Sequence, residues 1–517
     1  MHNSDLLRLS REYSSLQQEK KRLFRRRMRE HGISSRLLPI MPAEEHIRSA
    51  LIAPEQESLW LTWQANPRGT EYNLSSALHV AGQIDPEKLR RAFVSLVRRH
   101  RILRTTFAEK DGTVHQFIHD EPKFDWIHRT PLSSKGDWSP AQVQQRLDEV
   151  SRLPFDLANG PLLRVHFLPL DDGGIIHVTC HHIIADAHSL TVAFRELEAL
   201  YASEKEDTED RATTLPENSI QYGDYAIWQR EWLDEEALGE QLAYWRTELD
   251  PLHPPIELPF RQQNIRSLGA GDRFTLDVPA ALRIRLHGAA RKCKASLSSI
   301  LLTAFSTILN RYSAQNELYV GIPINRRQRH EIADTIGYFA NTTVAKIELD
   351  QRQAISKHIA RVHDRLARCQ EFSDLPISQL IADLKPARFG FRSPVFQVMY
   401  NFVQSADSGA GQFAGFQAKS VATSAGGSQF DLTLSVTDAA ETLSLTFAYA
   451  TDLLERAMVE RLAGHYVEVL EQIAEDGGAE KRLSEIALSV PVEHPPLATY
   501  AFVPVTERIA EQAALHP

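Results

Sequence analysis

Cysteine is scarce in this chain: three in 517 residues, Cys180, Cys293 and Cys369. Few, widely spaced and odd in number, they exclude a disulfide framework and fit a reducing compartment. No apolar stretch reaches the roughly eighteen residues of a membrane-helix candidate. The N-terminus also lacks the charged-then-apolar layout of a signal peptide. The expectation is a cytoplasmic protein with no membrane partner. Positive charge is not in surplus either, with 58 Lys and Arg against 67 Asp and Glu for a formal charge of -9. That gives no electrostatic footprint for nucleic acid over the whole molecule. What is present is ordinary globular composition, 43% hydrophobic and 24% charged. The length is about three times that of a typical domain, enough for two lobes with separate cores.

Local patterns divide the chain. From Ser15 to Gly32 the sequence reads as one basic helix, with Ser15 and Gln18 as a capping pair and Gly32 as the stop. Leu16, Leu23, Phe24 and Met28 form its narrow apolar stripe, and the Lys and Arg residues cover the rest. It either packs on its own protein or docks an acidic partner. Leu89, Phe93, Leu96 and Val97 mark a helix, and residues 175–180, IIHVTC, mark a buried strand paired with 161–170 through the turn DDGG. Residues 202–216 are polar and acidic and read as a crossover between lobes. The second half repeats the mixture: two helices within 281–312, strands in 316–324, 393–402, 430–438 and 443–451, and a closing helix from 455. No internal sequence repeat is evident, but two α/β lobes with a cleft between them follow from this order. Residues 405–428 are rich in small residues and read as containing a mobile loop. Their GGS runs into a strand instead of opening a helix, which argues against a phosphopantetheine attachment serine.

The segment HHIIADAH, residues 181–188, carries most of the chemistry. It follows a buried strand, so its histidines fall where a strand opens into a loop, a position from which rigid scaffolds present catalytic groups. An imidazole four residues before a carboxylate is a base-and-orienter pattern. Spacing alone also allows a metal site, with His182 and Asp186 one helical turn apart and His181 or His188 as further ligands. Against that, no Glu separates the histidines and no second ligand cluster is evident. A pair of satisfied core histidines is the third reading.

Five motifs in order then resemble one family, the condensation domains of nonribosomal peptide synthetases. HHIIADA resembles HHxxxDG; residues 98–107, RRHRILRTTF, resemble RHExLRTxF; residues 222–229, YGDYAIWQ, resemble YxDYAxW. IGYFANTTV at 336–344 is similar to IGxFVNT, and SPVFQVMYNF at 393–402 to PLFQVMF. The resemblance covers roughly residues 45 to 485. It implies an α/β fold of two chloramphenicol acetyltransferase-like lobes in a V-shaped pseudo-dimer, with the active site in a tunnel between them. It further implies segments at 1–38 (docking or linker), 39–215 (N-lobe), 216–487 (C-lobe) and 488–517 (linker and the opening of an adenylation domain).

By the same resemblance, His182 is the functional histidine, and His181, Asp186, Ala187 and His188 support it. Asp186 makes a buried salt bridge, with Arg104 and Arg326 as candidate partners. Tyr222, Tyr225 and Trp228 read as lobe packing, and Cys180 as a small core residue. No cofactor is bound tightly, since the substrates ride on phosphopantetheine arms. The implied partners are an upstream acyl or peptidyl carrier protein in trans, met through residues 1–38, and downstream carrier and adenylation domains. Ala187 in place of Gly, His188 in place of a common aromatic and Arg101 in place of Glu depart from the family pattern and suggest an unusual donor or acceptor, such as an acyl or polyketide chain. The rival readings are a starter acyltransferase using acyl-coenzyme A and a degenerate platform that recruits partners.

Overall fold

The computed structural model describes residues 3–42, 48–128, 138–203, 215–233, 235–250, 252, 254–258, 270–327, 329–387, 392–404, 410–423 and 427–489. Helices of the first half are α1 (Asn3–Ser14), α2 (Gln18–Glu30), α3 (Pro54–Ala65), α4 (Pro86–Arg99), α5 (Pro140–Ser151), α6 (Ala187–Ser203) and α7 (Tyr222–Trp232). Among the described residues no helix is long and apolar enough to cross a membrane.

Two six-stranded sheets organise the molecule. The first contains the hairpin Leu163–Leu170 and Gly173–His181, antiparallel with Leu163 opposite Cys180. Its turn needs glycine at 173: φ is +153°, and a Cβ there would lie 2.0 Å from the Val80 carbonyl oxygen. Alternation along Gly173–His181 sends Ile176, Val178 and Cys180 into the main core of this lobe. Ile175 packs on the opposite face with Leu147 of α5, and there His177 meets Ser151 at 3.3 Å. The second sheet runs Ala340–Glu348, Glu317–Asn325, Val398–Gln404, Leu432–Asp438, Leu443–Ala450, Gly271–Val278. Against it lies the helix Leu297–Ser313, capped by Ser296 and buried around nearly its whole circumference, as a core helix must be.

Neither lobe is a continuous stretch of chain. The strands Ala410–Phe413 and Phe416–Val421 join the edge of the first sheet, with Ala418 opposite Val80. Tyr222, Tyr225, Ile332, Ile336 and Phe339 also belong to the first core. A boundary at 215/216 therefore cuts through one hydrophobic core, and the stretch 405–428, read as containing a loop, also contains two paired strands. The remaining parts of that stretch, 405–409 and 424–426, lie outside the described residues, as do 204–214 of the expected crossover and 490–517 of the expected linker and adenylation segment.

The expected basic helix within 15–32 is present as α2, and a second helix, α1, precedes it. The Ser15 hydroxyl donates to the Glu12 carbonyl 2.8 Å away, closing α1 instead of capping α2. Met28 is buried, Phe24 packs on Tyr13 with ring centroids 5.6 Å apart, and Leu23 is 60% exposed. Gly32, at φ +70°, ends α2 as expected, and the Ile33 amide donates to the Met28 carbonyl at 2.9 Å. Lys21 pairs with Glu231 at 2.5 Å, and the Trp228 indole donates to the Leu38 carbonyl at 3.0 Å. The segment is thus fastened to α7.

A tight contact joins α7 to the second half. A Cβ added at Gly337 would lie 2.0 Å from the Tyr222 ring, and the Tyr222 hydroxyl donates to the Tyr338 carbonyl at 2.8 Å. Gly337→Ala is expected to cost about 1–3 kcal/mol through overpacking, read as a lower urea midpoint. An unchanged midpoint would contradict this packing.

Candidate active site

His181 and His182 sit where the strand Gly173–His181 gives way to a single 3-10 turn, His182–Ile184. Apolar burial anchors that turn, because Ile183 and Ile184 are fully buried. Two hydrogen bonds hold its backbone: the His182 amide donates to the Tyr72 carbonyl at 2.8 Å, and Gln56 of α3 donates to the Ile183 carbonyl at 2.7 Å. The two imidazoles then part. His181 is buried, and its Nδ1 accepts from the Ile183 amide at 3.1 Å. Burial pushes its pKa from 6.5 down to about 3, so it stays neutral. His182 is half-buried, with its Nδ1 2.7 Å from the Ala185 carbonyl oxygen. A carbonyl only accepts, so Nδ1 carries the proton and Nε2 is left with a free lone pair. Burial lowers the His182 pKa, while the Asp186 charge and the Ala185 bond pull it partly back. Near neutral pH this is an uncharged imidazole ready to accept a proton. Tyr338 stands edge-on to its ring, with centroids 5.2 Å apart.

Asp186 is not on a shared helix with His182; it caps α6. Its Oδ1 accepts from the Ser189 amide and hydroxyl, each at 2.8 Å. Its Oδ2 accepts from Arg327 and, at 3.2 Å, from the Phe339 amide. Arg327 also donates to the Ser189 hydroxyl at 2.7 Å and the Thr335 carbonyl at 3.0 Å, and its guanidinium lies 4.1 Å from the Phe339 ring centroid. Neither expected arginine fills this place. Arg104 donates to the His119 carbonyl. Arg326 pairs with Glu55 and, at 2.8 Å, with Asp374. The strand Glu317–Asn325 ends just before these two arginines, and the Arg327 amide turns back onto the Asn325 side chain at 2.9 Å. That turn gives the two consecutive guanidinium groups different carboxylate partners.

Arg326 makes a second clamp. Glu55 also accepts from Gln229 of α7 at 2.5 Å, and Asp374 also accepts from Arg36 at 2.8 Å. First half, second half and N-terminal segment thus meet through one buried guanidinium. Ala187 and His188 are exposed on the first turn of α6, with the His188 Nε2–H donating to the Ala333 carbonyl at 3.1 Å. Cys180 lies buried behind the turn, its thiol pushed up to about 12, so it is no nucleophile. Among the described residues no group of three or more His, Cys, Asp or Glu side chains is placed to hold a metal ion.

Sequence reasoning missed Arg327, Ser189, Tyr338, Glu55 and Asp374. Tyr338 occupies the unspecified position of IGxFVNT, and Glu55 and Asp374 lie far apart in the chain. Only the pair of consecutive arginines after a strand was visible.

Fold and site define a class of two-lobed α/β proteins that present an HHxxxD segment beside contacts joining the two halves. The chain belongs to the condensation domain family, whose model matches residues 47–494. It is 33% identical over 466 residues to a linear gramicidin synthase of Brevibacillus parabrevis, covering 88% of this chain and 9% of that one. It is 33% identical over 431 residues to phosphinothricin tripeptide synthetase PhsC of Streptomyces viridochromogenes, covering 82% of this chain and 39% of that one. The chain therefore spans well under half the length of these relatives. Among solved structures, the X-domain from teicoplanin biosynthesis superposes with a TM-score of 0.76 at 26% identity, covering 87% of this chain and 100% of that one. The first condensation domain of the calcium-dependent antibiotic synthetase, in complex with a substrate analogue, shares the fold with a TM-score of 0.72 at 17% identity, covering 86% of this chain and 99% of that one.

Two outcomes test the site. Arg327→Ala leaves Asp186 buried without its cation and is expected to cost about 3–5 kcal/mol in urea unfolding; a loss no larger than the about 1 kcal/mol typical of an exposed pair would contradict the geometry. The buried neutral histidines set the pH trend. His181 and His177, the latter lowered to about 4, stay uncharged in the fold but charge in the unfolded chain below pH 6.5. The unfolded state then binds more protons, so their contribution to stability falls as pH drops from 6.5 towards 3. His181→Gln should flatten that fall in unfolding free energy; an unaltered slope would contradict it.

Proposed function

We propose that the chain catalyses amide-bond formation between two carrier-bound thioesters, with His182 acting on the attacking amine. One observation carries this reading: the His182 Nδ1 is committed to the Ala185 carbonyl at 2.7 Å, which leaves Nε2 as a proton acceptor. The amine nitrogen of an aminoacyl thioester attacks the donor thioester carbonyl, forming the C–N bond and then breaking the C–S bond. Nε2 accepts the proton as the nitrogen becomes acidic, and the departing thiolate takes it up. An α-amine has a pKa near 8, above that of His182, so transfer follows nitrogen attack instead of preceding it. Positioning two tethered reactants removes much of the remaining barrier.

Asp186 keeps the loop around His182 in register, with His181 packed behind it and Ala187 and His188 bordering the approach. Substrates are carried on phosphopantetheine arms, and no tightly bound cofactor takes part. The donor comes from a separate polypeptide; the basic helical pair fastened to α7 supports that reading. The orientation of His182 favours catalysis over a degenerate recruiting platform.

Acyl-carrier, peptidyl-carrier and acyl-coenzyme A donors, each offered with an aminoacyl-carrier acceptor, test the proposal by intact-protein mass spectrometry of the product. Amide should form with a carrier-bound donor, and His182→Ala should lower its rate by about 10²- to 10⁴-fold. Full rate in that variant with every donor, or no product with any, would overturn the assignment.

A further inference from the structure

His182 Nε2 is one of two uncommitted polar groups beside the histidine turn. Tyr338 stands edge-on to the His182 ring with centroids 5.2 Å apart, and no hydrogen bond joins the two side chains. The Tyr338 hydroxyl makes none with any other described residue either. Tyrosines elsewhere in the fold commit theirs: Tyr222 donates to the Tyr338 carbonyl at 2.8 Å, and Tyr466 to the Leu301 carbonyl at 3.1 Å. The hydroxyls of Tyr225 and Tyr244 are unpaired but sealed from solvent, whereas Tyr338 is half-buried and its oxygen is not sealed. A donor and an acceptor thus lie side by side, unjoined and reachable. Complementary groups in that state leave their hydrogen-bonding capacity to a third molecule.

The backbone beneath Tyr338 is fixed on both sides. The Gly337 amide donates to the Ser189 hydroxyl at 3.1 Å, and the Phe339 amide to Asp186 at 3.2 Å. The Phe339 carbonyl accepts from the Arg326 amide at 3.0 Å. A donor held in this way meets developing charge without first having to reorganise. Burial, and then the nearby Tyr72, Glu55 and Asp186, raise the Tyr338 pKa above its ordinary value, so the phenol keeps its proton and remains a donor. Position 338 is the unspecified one of IGxFVNT, so this donor belongs to the present chain and not to the motif.

We infer that Tyr338 is a second catalytic residue, whose hydroxyl donates to the oxygen of the donor thioester carbonyl as that oxygen becomes an oxyanion. The role rests on the reaction proposed above. In the addition step the amine lone pair forms the C–N bond, the C=O π pair moves onto oxygen against the Tyr338 O–H, and Nε2 takes the proton from nitrogen. In the collapse the oxygen pair restores the carbonyl and the C–S bond breaks. Sulfur leaves with that bond's electron pair and receives the proton from the imidazolium. Tyr338 keeps its own proton throughout.

Tyr338→Phe removes the hydroxyl and keeps the ring. In the full chain with carrier-bound substrates, kcat should fall by about 10²- to 10³-fold and KM should move by less than about threefold. The urea midpoint and the titration midpoint of His182, followed by nitrogen-15 NMR, should stay as in the parent protein. Full kcat in the variant would overturn the inference. A fall in kcat accompanied by a shifted His182 midpoint would overturn it too, because Tyr338 would then act through the imidazole as a positioning residue. A pantetheine-linked phosphonate, whose anionic oxygens at a tetrahedral centre copy the oxyanion, gives a readout apart from turnover. In isothermal titration the parent protein should bind it, and Tyr338→Phe about tenfold or more weakly. Undiminished affinity in the variant, or no affinity in the parent, would overturn the inference whether or not amide forms. The tenfold loss in a protein that makes no amide would leave the oxyanion donor standing and remove only the proposed reaction.

Discussion

The buried pair of Asp186 and Arg327 is the contact on which the site depends. The carboxylate caps α6 of the first lobe, and the guanidinium follows a strand of the second sheet. Both are almost wholly removed from water, where an ion survives only if its remaining hydrogen-bonding capacity is filled. Ser189 and the Phe339 amide fill most of it, and the Phe339 ring supports the guanidinium from its face. Through these partners the loop at 335–339 is drawn against α6, which brings Tyr338 edge-on to His182. The pair thereby couples the turn bearing the histidine to the opposite half of the molecule without touching the histidine itself.

Arg326 extends the same logic. Because its partners differ from those of Arg327, one dipeptide serves two separate carboxylate sites: Asp186 beside the histidine turn, and Glu55 with Asp374 deeper between the halves. Arg36 adds the N-terminal segment to the second site, and Arg329 donates to the Arg36 carbonyl at 2.6 Å. The residues before 42 are therefore tied to both halves. Each ion pair that bridges elements distant in sequence restrains how far those elements can separate, so the geometry at His182 and the docking of the N-terminal helices rest on neighbouring contacts.

Much of this was legible in the sequence where local rules govern. The hairpin ending in His181 followed from a β-branched run after the turn DDGG, and the helix at 297–313 is one of the two helical stretches read within 281–312. The placement of the two histidines where a buried strand opens into a loop was also legible, and the structure has His181 ending the strand and His182 beginning a turn. Nonlocal pairing was not legible. The strands at 410–421 are poor in β-branched residues and owe their existence to an edge of the first sheet more than three hundred residues upstream in the chain. Helix α1 is short and polar and is held by contacts such as Ser10 with the Pro39 carbonyl at 2.6 Å, which no propensity reveals. Choosing Arg326 over Arg327 failed for a similar reason, because the direction of a side chain after a strand depends on the turn made there.

The central claim is that the fold presents His182 as a neutral imidazole with its proton on Nδ1 and a bare Nε2. Nitrogen-15 NMR of histidine-labelled protein, with the His182 signal assigned by its loss in His182→Gln, measures this directly. The account predicts the Nδ1–H tautomer at pH 7 and a titration midpoint below 6.5. An Nε2–H tautomer, or an imidazolium persisting at pH 7, would contradict it.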